Sequence, residues 1–62
     1  MTPAEFRAAL TRLGLSQAEA ARRIGVTSMA VAHWLAGRRP VPGYAVALVA
    51  NWIKLRAGGL DY

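Results

Sequence analysis

Few side chains in this sequence are equipped for covalent chemistry. It has no cysteine, one histidine (His33) and three carboxylates (Glu5, Glu19 and Asp61) scattered over 62 residues. Nothing in it sets a nucleophile beside a base, and no His, Cys, Asp or Glu cluster has metal-ligand spacing. The sequence therefore predicts no enzyme, no metal site and no cofactor, and no small-molecule ligand is evident. What it does carry is positive charge: eight Lys+Arg, seven of them arginine, for a net charge of +5. The planar guanidinium fork suits bidentate phosphate contacts. Such a balance predicts a polyanion partner, either nucleic acid or an anionic membrane surface.

Something must position those cations, and the length limits what it can be. A chain of this size buries only about 60% of its unfolded surface, so one domain over residues 1–62 is expected, with a thin core. A hydrophobic content of 55% argues against disorder. The apolar run Val41 to Ala50 is too short for a membrane span. The opening Met1-Thr2-Pro3-Ala4-Glu5 lacks the basic start and apolar stretch of a signal peptide. No membrane association and a cytoplasmic location are the expectations.

Helix punctuation is dense. Thr2-Pro3-Ala4-Glu5 reads as a capping box with proline at the first helical position. Phe6, Leu10 and Leu13 follow at helical spacing, and Gly14 stops the segment. Ser16-Gln17-Ala18-Glu19 is a second capping box, opening a short helix through Ala20, Ala21 and Ile24 that ends at Gly25. Thr27 and Ser28 both read as caps of a third helix, from about Ser28 to Leu35, with Val31, Trp34 and Leu35 on one side. Arg38-Arg39-Pro40-Val41-Pro42-Gly43 cannot be regular helix, because two prolines remove donors and restrict their predecessors. A last helix, about 43–57, closes an all-α bundle of four short helices.

The central stretch is the informative one. A short helix, a turn glycine and a second capped helix make a helix-turn-helix, here about 16–37. Ala21 is small where the two helices must cross closely, and Gly25 can turn the chain at positive φ. Ala20, Ile24, Val26, Val31 and Trp34 supply the shared seam. On these residues, from Gln17 to Gly37 with the flanking first helix and the Arg-Arg-Pro segment, the sequence resembles the lambdoid phage repressor and Cro-like helix-turn-helix domains. The resemblance implies binding to double-stranded DNA, with the third helix in the major groove. One departure is visible: Met29, Ala30 and Ala32 stand where that family commonly has glutamine and asparagine.

With Val31, Trp34 and Leu35 inward, helical geometry turns Met29, Ala32 and His33 outward, with Ser28 at the exposed end. Ser28, Met29, Ala32 and His33 are thus the candidate base contacts: Ser28 and His33 by hydrogen bonds, Met29 and Ala32 against thymine methyl groups. Gln17 resembles the family's phosphate-clamping glutamine; the alternative is a plain exposed polar residue. Thr27, Arg38 and Arg39 are the other phosphate candidates, while Arg7, Arg12, Arg22 and Arg23 divide between phosphate contact and simple solvation. His33 without any role is the bland alternative for that residue.

The last helix is apolar almost all round. Ala45, Leu48, Val49 and Trp52 form one stripe for the core; Val46, Ala50 and Ile53 form a second, which predicts a homodimer interface, with help from Leu60 and Tyr62. The expected function is a phage-type or mobile-element repressor that binds an inverted-repeat operator as a dimer and acts by occupancy. Rival readings are a non-regulatory DNA-binding module and a protein-interaction domain working through the last helix. A membrane-active peptide fits poorly, being normally one amphipathic helix.

Overall fold

A computed structural model describes residues 1–59 of the chain. Four helices follow in order: α1 (Pro3–Leu13), α2 (Gln17–Ile24), α3 (Ser28–Leu35) and α4 (Gly43–Ala57). There is no strand among the described residues. The all-α expectation holds, and the last helix spans the residues expected for it. Leu60 and Tyr62, expected to assist a dimer contact, lie outside the described residues.

Local chemistry sets the helix starts. The Thr2 hydroxyl accepts from the Glu5 amide at 3.1 Å, and the Glu5 carboxylate accepts from the Thr2 amide at 2.8 Å. Ser16 and Glu19 repeat the arrangement at 3.1 and 3.2 Å. Each box satisfies donors that the first helical turn would otherwise leave without partners. Accepting from these amides and hydroxyls also holds both carboxyls below their ordinary value of 4.5. At α3 the Thr27 hydroxyl alone caps, accepting from Ala30 N at 3.2 Å. Ser28 is not the cap: it is the first helical residue. α4 starts without a side-chain cap, after Pro42.

Packing then joins the helices. α2 packs chiefly on α3, and α1 lies against both α3 and α4. Phe6, Leu10 and Leu13 of α1, Ala20 and Ala21 of α2, Val31 and Trp34 of α3, and Ala45, Val49 and Trp52 of α4 share one core. Phe6 meets Trp34 edge to face, with centroids 5.9 Å apart and planes at 77°. Ala20 and Ala21 are buried almost completely, so α2 can approach closely and still fill its contact. Leu48 and Leu35 are half-buried against this core.

The residues of the second stripe on α4 differ in exposure. Ile53 is half-buried and packs against the core cluster, whereas Ala50 is exposed and Val46 is half-buried. α1 covers Ile53 because the two helices lie side by side: Ile53 shares a depression with Ala8, Ala9 and Arg12. The stripe is therefore narrower than its spacing suggested.

The α2–α3 turn depends on backbone freedom at one residue. Gly25 sits at φ 91°, donates to Ala21 O at 2.9 Å and caps α2. A β-carbon there would meet nothing within 4 Å, so any penalty would be conformational. Gly25→Ala should accordingly cost about 1–2 kcal/mol in urea unfolding, the penalty of placing an L side chain in the left-handed region. Gly43 offers the opposite case, an ordinary helical glycine whose added β-carbon would also meet open space. Gly43→Ala should gain about 0.4–1 kcal/mol in the same assay.

Candidate nucleic-acid interface

The outward side of α3 is built by elimination. Val31 and Trp34 are buried, and Ala30 and Leu35 are half-buried against the core. Ser28 and Met29 remain exposed; Ala32 and His33 are half-buried. Met29 is 69% exposed, more than Tyr44 or Met1, the other large apolar side chains at the surface. Of the four candidate base contacts, then, the first turn is open and the second is recessed.

Each end of α3 is tied to a segment carrying a phosphate candidate. Gln17 is exposed at the first position of α2, and its side-chain amide donates to the Ser28 carbonyl at 3.1 Å. One N–H is so used, and the second remains available as a donor. Gln17 is thus an exposed polar residue that also ties α2 to the start of α3. Thr27 uses its hydroxyl oxygen as an acceptor, which leaves the O–H free to donate outward. At the other end, the Arg38 and Arg39 amides donate to His33 O at 2.9 and 3.4 Å. Those bonds fold the Arg38-Arg39 segment back over the last turn of α3, with both arginines exposed.

Of the four arginines left between phosphate contact and solvation, Arg7 shares a depression with a phosphate candidate. Arg7 of α1 lines a depression of about 140 Å³ together with Leu10, Thr11, Leu15, Gln17 and Leu35. It thus stands on the same flank as Gln17, the first residue of α2. Arg12, five residues further along α1, also lines a depression with Met1, Glu5 and Ile53. The only signal for this was Leu15 and Leu35 converging on one side of α1, which becomes visible once the helices are packed. A broader groove of about 670 Å³ runs along the outer face of α1 between Pro3 and Arg12 and reaches Leu35. Its lining holds two guanidinium groups and no group able to act as a base near neutral pH.

No group of three or more His, Cys, Asp or Glu could hold a metal ion among the described residues. No described helix is long and apolar enough to cross a membrane. A helix-turn-helix family profile matches residues 6–51, which contain most of α1, the whole α2–turn–α3 unit and more than half of α4. The chain belongs to this helix-turn-helix family. It is the Cro- and lambda-repressor-like group of DNA-binding regulators, and the resemblance carried by Gln17 to Gly37 is confirmed. No curated protein and no solved structure matches the chain. For this helix-turn-helix domain the arrangement provides a surface helix, flanked by donors and cations, that can enter a DNA groove.

The distinction between cap and first helical residue can be measured. Thr27→Ala should lower the unfolding free energy by about 1 kcal/mol, the usual worth of an N-cap. Ser28→Ala should stay within about 0.5 kcal/mol of the parent in the same titration.

Proposed function

We propose that this protein is a sequence-specific transcriptional repressor that binds an inverted-repeat operator as a homodimer and acts by occupying promoter DNA. The observation that carries the reading is the mounting of α3: its outward first turn is exposed, and both its ends are held by segments bearing phosphate donors. In this reading α3 lies in the major groove, with Ser28, Met29, Ala32 and His33 facing base edges. Gln17, Thr27, Arg38 and Arg39 contact phosphates, joined by Arg7 on the α1 flank. Phosphate contacts position the domain, and the groove side of α3 supplies the preference.

The homodimer forms through α4, around Ala50 with the accessible parts of Val46 and Ile53. Exposed Tyr44 and Ala47 extend that surface. Two copies related by a two-fold axis would set their α3 helices about 34 Å apart, one turn of duplex. In this reading the mode of action is steric occupancy, as in the small regulators of phages and mobile elements. The protein works in the cytoplasm, where its DNA is, and performs no catalysis.

Selection of duplexes from a random pool at physiological salt should enrich an inverted repeat with half-sites about one helical turn apart, or a multiple of it. Salt-sensitive binding without an enriched site would make the protein a non-specific DNA module instead. Failure to bind DNA would direct attention to α4 as a protein-binding surface. On the enriched duplex, Arg38→Ala and Arg7→Ala should each reduce the slope of log affinity against log salt by about 1, the value for one phosphate contact. Arg12→Ala should leave the slope unchanged.

A further inference from the structure

α3 has an unusual chemical vocabulary for a helix that reads DNA. Its sequence, Ser-Met-Ala-Val-Ala-His-Trp-Leu, contains no Arg, Lys, Asn or Gln. Those four residues make the bidentate contacts that identify guanine and adenine in the major groove. Once Val31 and Trp34 are buried, the polar side-chain atoms left on the helix are the Ser28 hydroxyl and the half-buried His33 ring. The most prominent group is apolar: Met29, 69% exposed on the first turn, with Ala32 three residues on and on the same side.

A thioether chain and a methyl group have one complementary feature on the floor of the major groove, the C5-methyl of a pyrimidine. We propose that the protein reads that methyl group, through Met29 with Ala32 beside it, and therefore accepts thymine and 5-methylcytosine alike at the position they face. The inference rests on the reading that α3 enters the major groove. Thymine and 5-methylcytosine carry the methyl at the same place and differ at C4, where one presents a carbonyl and the other an amino group. Ala32 has no side-chain group that senses this exchange, and the Met29 sulfur is only a weak acceptor. Uracil and cytosine lack the methyl and lose the contact. The four bases thus sort by methylation and not by pairing partner. Methylation of a cytosine at this position would turn a poor site into a good one.

The test uses the wild-type protein and the duplex enriched from the random pool. At each thymine of the half-site the duplex is remade with deoxyuridine, with cytosine and with 5-methylcytosine, the last two paired with guanine. At one position deoxyuridine should weaken binding about fourfold, the worth of one buried methyl-sized group. At that position 5-methylcytosine should recover most of what cytosine loses. Met29→Ala should bind the thymine and deoxyuridine duplexes equally, since the group that senses the difference is gone. Equal wild-type affinity for thymine and deoxyuridine at every position overturns the inference while leaving the operator-binding reading intact. So does 5-methylcytosine binding no better than cytosine. If no duplex is enriched, the operator-binding reading fails first and this inference falls with it.

Discussion

Everything the interface does depends on Trp34 being held beneath α1. The indole is the largest core side chain of α3, and its edge-to-face contact with Phe6 joins the surface helix to the rest of the bundle. A domain of this length has a total stability of only about 3–9 kcal/mol. Truncating one buried aromatic typically costs about 3–5 kcal/mol. Burial of that one side chain is thus comparable with the whole folding free energy. An eight-residue helix has little stability of its own, so α3 exists as a helix because Phe6, Val31 and Trp34 hold it there.

The fold was legible because its local signals agree with one another. Two capping boxes, proline at the first position of α1 and glycines after α1 and α2 all mark boundaries that the structure keeps. The apolar positions Phe6, Leu10, Leu13, Val31 and Trp34 fall where helical spacing puts them. Consistency of this kind makes a short sequence specify one arrangement. Thr27-Ser28 is the exception, since two adjacent hydroxyl residues offer the same cap and only the backbone angles decide between them. Thr27, at ψ 154°, is the extended one.

The interface was legible in its composition and less so in its geometry. Helical spacing separated Met29 from Val31 and Trp34 correctly, because that division follows from 100° per residue. It could not show that Gln17 reaches the Ser28 carbonyl, since the two residues are eleven positions apart and meet only across the turn. Nor could it rank Arg7 above Arg12, or foresee that α1 would half-cover Ile53. These are consequences of how helices lie against one another, and a single helix carries no record of them.

The two ends of α3 are held differently, one by a side chain from α2 and the other by backbone bonds from the Arg38-Arg39 segment. The helix between them is only eight residues long. On the proposed reading, such a mounting would make the domain a gauge of groove width. The proposed phosphate donors and α3 would meet the duplex as one piece, so a groove too wide or too narrow would lose contacts even when its bases are right. The flexibility of steps that no side chain touches would then enter the preference through the work of bringing the groove to gauge.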